Sequence, residues 1–313
     1  MITWKNLSLV TVITSFFVGT ASVAQAAQTF YGYEKPQDYY GAGVMNSFIT
    51  LADDGTPLNV GWAFSEGVLD KDKLPAEHAD EHTHETFNLI FPKDSSGNNY
   101  TGFDNIGLGW QPQGHEPQFA FGEPHFDVHF FMSTLAQREE IPVAPNTGPG
   151  APPPAPYQNP DSKFVAEDYV NSGHYAAKEG AHWVNESSPE FNQQKFTKTL
   201  VYGYDQSGTM NFMEPMLTVD FLQSFQSQGD QSSTTDTIKL PTAFAQSGFY
   251  PTEYTVNYDP TATDYQYTVT MSGMTYKSAT PVPEPNSILG LLAFGSLATA
   301  TAVKKLKLFN RKK

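Results

Sequence analysis

The chain has 313 residues, of which 33 are acidic and 18 basic, giving a net charge of −15, and it contains no cysteine. A field of that sign repels phosphate backbones and argues against nucleic acid as a partner. Without disulfides, stability must come from a hydrophobic core whatever the redox compartment.

At the N-terminus Lys5 precedes a mostly apolar stretch, residues 7–18, and then Ala24-Gln25-Ala26. Small residues stand at the two positions a signal peptidase reads, so residues 1–26 are expected to be a signal peptide, with signal peptidase as a partner. Residues 27–281 are expected to form one exported domain. With Lys5 and the six basic residues of the tail set aside, 11 basic and 32 acidic residues remain, a balance near −21. That charge suits divalent cations, or solubility among anionic envelope polymers.

Within this region Thr, Tyr, Phe and Val occur in short alternating runs split by Gly, Pro, Asn and Asp. The pattern predicts a mainly β fold, either a single antiparallel β-barrel or a sandwich-like domain with long loops. Residues 27–60 read as short strands, with a turn at Asp53-Asp54-Gly55-Thr56-Pro57. A strand is expected over 86–91, a loop over 95–99, and further strands within 103–133. Residues 141–160 hold eight prolines and are expected to be an extended, irregular loop on one domain. A short helix is expected over 164–170. Residues 196–221 form the clearest hairpin, with Ser207-Gly208 at its tip supplying the positive φ of the turn. The polar stretch 222–241 reads as a mobile loop. Between 265 and 276 Tyr265, Tyr267, Val269 and Met271 alternate with polar residues, as in a half-buried strand.

All eight histidines lie between His78 and His182. The tract from Glu77 to Glu85, with His78, His82 and His84, reads as a loose metal-binding stretch or as a solvated acidic loop. From His125 to Phe130 polar and apolar residues alternate strictly, which predicts a strand. His125, Asp127 and His129 then share one face, and Phe126, Val128 and Phe130 the other. Neighbours on one face are ~6.6 Å apart, so Asp127 can share an ion with either histidine. His125 and His129 are ~13 Å apart and cannot both reach one ion at ~2.1 Å in a regular strand. A mixed site is expected, with Asp127, one histidine and ligands from other strands. His182, in Gly180-Ala181-His182-Trp183, and Glu214, in Glu214-Pro215-Met216, are the candidates for those ligands. Zn, Mn, Fe and Cu all suit such a set. The alternative is a polar interior whose His, Asp and Glu bond one another around buried water.

These segments resemble a small, uncharacterised family of exported bacterial proteins. Its elements match Gly114-His115-Glu116-Pro117, then Pro124-His125-Phe126-Asp127-Val128-His129-Phe130, then His182-Trp183, then a hairpin ending in Glu214-Pro215-Met216. The match spans roughly residues 84–222. The resemblance implies a β-rich fold and one cluster of His115, His125, Asp127, His129, His182 and Glu214; it implies no particular activity. Other members are richer in His and Asp just before His115, where this chain has Asn105, Gly109, Gln111 and Gln113. That difference argues against metal ligands in the segment before His115.

At the C-terminus Val282-Pro283-Glu284-Pro285 precedes an apolar run, residues 287–303, and then Lys304, Lys305, Lys307, Arg311, Lys312 and Lys313. About 17 residues make ~26 Å of helix, enough for a thin bilayer, and the basic end favours a cytoplasmic terminus. The segment 282–313 resembles a PEP-CTERM sorting signal, the tag read by an exosortase-type transpeptidase in Gram-negative-type bacteria. The resemblance implies transient anchoring through a transmembrane helix, then delivery to the cell envelope, outer surface or extracellular matrix.

Three functions follow in order of preference. The first is a non-enzymatic, surface-sorted protein whose His/Asp/Glu cluster binds metal or is structural. The second is a metal-dependent enzyme acting on a small molecule or envelope polymer, with Asp127 or Glu116 as general base; no zincin, serine-elbow or Walker motif supports it. The third is a carbohydrate-binding module for extracellular polysaccharide, although the tryptophans at 4, 62, 110 and 183 form no evident platform.

Overall fold

The computed structural model describes residues 27–32, 37–39, 42–75 and 87–281. In chain order the strands are β1 (Ala27–Tyr31), β2 (Gln37–Tyr39), β3 (Gly43–Ala52), β4 (Pro57–Phe64), β5 (Phe87–Ile90), β6 (Asn105–Gln111), β7 (His125–Phe131), β8 (Tyr169–Ala176), β9 (Gly180–Asn185), β10 (Lys198–Tyr204), β11 (Met210–Thr218), β12 (Ser232–Thr237), β13 (Gly248–Tyr250), β14 (Glu253–Tyr258), β15 (Tyr267–Ser272) and β16 (Thr275–Lys277). Three short helices accompany them: α1 (Gln118–Phe121), α2 (Leu135–Arg138) and α3 (Val219–Gln226).

Fourteen of these strands form two antiparallel sheets, and β13 pairs with β16 in a small ribbon. The first runs β1-β3-β4-β15-β14-β12, with β2 beside β3; the second runs β5-β6-β7-β11-β10-β9-β8. Of the two expected architectures, the sandwich-like one is observed. Strand alternation builds the layer between the sheets. Trp62 and Phe64 of β4 and Tyr267 of β15 face Phe126, Val128 and Phe130 of β7, and all six are fully buried. The Trp62 and Phe126 rings stand 5.7 Å apart across the layer, and Trp110 packs 5.0 Å from Phe126. Trp62 and Trp110 are therefore core residues and form no binding platform.

The second sheet is buried on its other face too, and there loops pack on it. Phe121 of α1 and Phe196 pack on Phe131, Val184, Val201, Phe212 and Met216. The proline-rich segment packs Ile141, Ala144 and Tyr157 against Tyr175 and Ala181. It is pinned by backbone bonds, Thr147 N to Gly173 O (2.8 Å) and Gly150 N to Asn171 O (2.9 Å). Prolines give up donors, so the few remaining N–H groups carry this attachment.

The turn at 53–56 and the 205–209 hairpin tip form as expected; Gly208 has φ +79°. Two local expectations are corrected. Residues 164–170 make no helix. A single turn at Ser162–Phe164 leads, through Asp168 at φ +70°, into β8 at Tyr169. Here β-branched and aromatic side chains favour the extended chain. Residues 222–241 are not a loop throughout. Thr218 caps α3, whose Val219, Leu222 and Phe225 are buried, and the Thr-rich β12 pairs along β14. Polar composition there reflects an exposed sheet edge rather than the lack of structure. The 78–84 histidine tract and the segments 1–26 and 282–313 lie outside the described residues. Among the described residues, no helix is long and apolar enough to cross a membrane.

Phe126 packs on Trp62 of the facing sheet and on Trp110 of its own. Phe126→Ala is expected to lower unfolding free energy by about 3–5 kcal/mol, read from chemical denaturation. A loss below about 1 kcal/mol would place the main core elsewhere.

Candidate metal centre

β7 carries the site. Phe126, Val128 and Phe130 turn into the sandwich, and His125, Asp127 and His129 turn, with Phe131, to the loop-covered face, where all are buried. The neighbouring strands bring the rest. On β6, Gln111 pairs with His125, while Gly109 and Gly107 lie opposite Asp127 and His129 and contribute no side chain. On β11, the ladder to β7 runs from the Met213–Phe130 pair to the Met216–Asp127 pair, skipping Glu214 and Pro215. Pro215 has no N–H to give, and Glu214 is held beside His129. On β10, Gly203 pairs with both Phe212 and His182. A Cβ at Gly203 would lie 1.9 Å from the Phe212 ring. Glycine therefore lets that ring wedge against His129 (4.7 Å) and His182 (5.1 Å).

The titratable groups fall into two triads. In the inner one, His129, Glu179 and His182 offer donor atoms that all lie within 4.8 Å of one another. Glu179 Oε2 stands 3.3 Å from His182 Nε2 and 3.7 Å from His129 Nε2. Glu214 Oε1 is 3.4 Å from the same His129 nitrogen. In the outer triad, His115, His125 and Asp127 also converge within 4.8 Å. Asp127 Oδ1 lies 3.1 Å from His125 Nε2 and 3.9 Å from His115 Nε2, and Gln111 Nε2 donates to Asp127 Oδ2 at 2.7 Å. A cleft of about 240 Å³ reaches both triads, lined among others by His115, Asp127, His129, His182 and Glu214.

Both triads are buried His/carboxylate sets that could hold a metal ion. Charge-assisted hydrogen bonds run at ~2.7–2.9 Å. The inner separations of 3.3–3.7 Å are longer, and close to the ~3.4 Å between two ligands of a tetrahedral ion with ~2.1 Å bonds. The other ring nitrogens point the same way. Nδ1 of His115, His125 and His182 meets the carbonyl oxygens of Glu116 (2.8 Å), Glu123 (2.6 Å) and Gly180 (3.2 Å). A carbonyl only accepts, so each Nδ1 carries the hydrogen and each Nε2 faces a carboxylate. Backbone anchoring of the far nitrogen is the usual support of a metal-bound histidine.

Electrostatics separate the two groups. Burial, and then the charge of His115, lowers the His182 pKa to about 4. His182 is thus neutral and able to ligate well below pH 7. Burial pulls His115 down, but the Asp127 carboxylate outweighs it and raises its pKa. Burial would raise Asp127, yet the His125 and His115 imidazoles hold it well below the ordinary carboxylate range.

All six residues expected to cluster do lie on this face. His182 and Glu214, expected to complete the Asp127 set, instead join His129, because the cross-strand row His182–Gly203–Phe212–Phe131 sets His182 at the His129 end of β7. Asp127 takes His125 and His115. Three residues had been passed over. Glu179, at the turn before β9, is an acid three positions before His182 beside Gly180 at φ +114°, a spacing that could have drawn notice. The His174 ring meets the His182 ring edge-on, with centroids 4.8 Å apart. Gln111 lies in the segment argued to be without ligands; it contributes no ligand but orients one.

No family model, no curated protein and no solved structure matches this chain.

Gly203→Ala is expected to push Phe212 off the two inner histidines. Metal affinity should fall about 10–100-fold with every ligand retained, as for the loss of other supporting contacts. Zinc titration against a competing chelator reads this directly, and unchanged affinity would mean that the wedge does not position the ligands.

Proposed function

We propose that the protein is a metal-binding domain of the bacterial cell envelope, exported and sorted to the surface, with a divalent ion held by His129, Glu179, His182 and Glu214. The observation that carries this reading is the convergence of two histidine Nε2 atoms on buried carboxylates at metal-ligand spacing, with the far ring nitrogen of His182 tied to a backbone carbonyl. A purely structural hydrogen-bonded cluster would bring donors to acceptors. Here neutral His182 presents a lone pair to Glu179, a contact that calls for a cation between them. Two carboxylates balance a divalent charge, and the donor set suits zinc, manganese, iron or copper.

Export and sorting are supported by the two ends of the sequence. The apolar N-terminal stretch ends at Ala24-Gln25-Ala26, and Val282-Pro283-Glu284-Pro285 precedes a span and a basic tail. The enzyme reading has one favouring observation, the cleft that reaches both triads.

Glu179→Gln separates metal site from structural network. If the cluster evolved for an ion, the metal-free variant is as stable as wild type or more so, because one buried like charge is gone. The melting-temperature rise that zinc produces should then shrink sharply; at 100-fold excess over Kd a bound ion stabilises by about 2.7 kcal/mol. A structural network predicts instead a metal-free variant weakened by about 1–3 kcal/mol. Elemental analysis of His182→Ala should show one equivalent of metal fewer than wild type.

Sorting is tested separately. Glu284→Ala is expected to leave the chain in the membrane fraction while wild type is released from it. Equal release of both would remove the sorting reading without touching the metal site.

A further inference from the structure

We propose that His115, His125 and Asp127 hold a second metal ion of a different kind, exchangeable and with an open coordination position that water or a small anion fills. The proposal rests on the reading of the domain as metal-binding, and extends it to an anion-binding activity at a separate centre.

Three features distinguish this outer triad. The first is ligand number. Glu214 Oε1 lies 3.4 Å from His129 Nε2 and adds a carboxylate beside the inner triad, whereas the outer set offers two histidines and one carboxylate alone. Closed four-ligand sites keep their metal as structure, and three-ligand sites leave a position for water or substrate. The second is access. The His115 side chain is 24% exposed at the cleft, against 12% for His182, the most exposed inner ligand, and at most 3% for His129, Glu179 and Glu214. The third is charge. Two glutamates neutralise a divalent ion in the inner site. Asp127 alone leaves a net positive charge in the outer one, and that charge selects an anion, such as hydroxide, a carboxylate or another small oxyanion.

The support around the triad is that of a metal site. Asp127 presents Oδ1 to both histidines while Gln111 fixes Oδ2 at 2.7 Å, the arrangement by which outer contacts aim a ligand. A simple Asp–His proton-transfer pair fits less well. Such a histidine keeps one ring nitrogen for its substrate, but His115 Nδ1 is engaged with Glu116 O and its Nε2 faces Asp127. Nor do the two centres form one bridged pair. The two converging sets, His115/His125/Asp127 and His129/Glu179/His182, have no residue in common, so each ion would have its own ligands.

The test uses the full chain purified in detergent, stripped with chelator and titrated with cobalt(II), followed by visible absorption before and after azide. Wild type should take two equivalents, with azide changing the spectrum of one. Asp127→Asn should take one and lose the azide response at least tenfold, and the milder His115→Gln should weaken the same response. Glu179→Gln should also take one equivalent but keep the azide response. If Asp127→Asn and His115→Gln bind as much cobalt as wild type with the azide response intact, the second site is wrong and the inner site stands. If azide acts only through the Glu179 centre, the assignment of the open position is wrong. If wild type binds no cobalt, both readings fall together.

Discussion

Strand alternation in β7 imposes the constraint from which the rest follows. Seven residues place three large apolar groups on one side, and two histidines, an aspartate and Phe131 on the other, and every one of them is buried. The apolar side closes the sandwich against Trp62 and its neighbours. The polar side therefore needs a cover of its own, supplied by the α1 turn, the proline-rich segment and the loop around Phe196. One slip of register in β7 would exchange the two faces and lose both core and site.

Burying the site has an energetic consequence. Carboxylates and imidazoles withdrawn from water are costly unless each charge is met by its opposite. The outer triad meets this in part through Asp127, whose ionised form is held by two histidines and Gln111. The inner triad sets Glu179 and Glu214 about the same histidine, with His182 neutral beside them. A cation bound there, as proposed, would offset the charge these carboxylates gather. Phe131 and Phe212 pack against His129 and hold its ring in place.

Much of the fold was legible from residue patterns. Alternation located β7 and β15, and Asp205-Gln206-Ser207-Gly208 located the β10–β11 turn. The choice of sandwich over barrel was not legible, because alternation reports which side of a strand is buried but not which strand closes the sheet. The Thr- and Ser-rich β12 was missed because an edge strand with a solvent face lacks an apolar period. At the site, spacing along β7 already forbade one ion from reaching both His125 and His129, and the structure indeed sends them to different triads. The partners could not be assigned in advance, since they depend on the β9–β10–β11 register. Glu179 was hidden for a related reason: it belongs to a turn, whose φ values rather than whose periodicity bring it under His182.

The most direct measurement of the central claim is anomalous X-ray diffraction from crystals of metal-loaded protein, recorded on both sides of the metal's absorption edge. The account predicts an edge-dependent peak about 2 Å from Nε2 of His129 and His182 and from a Glu179 oxygen, the distance of a metal–ligand bond. Water at that position, with no edge-dependent signal and with hydrogen-bond distances to the same atoms, would contradict it.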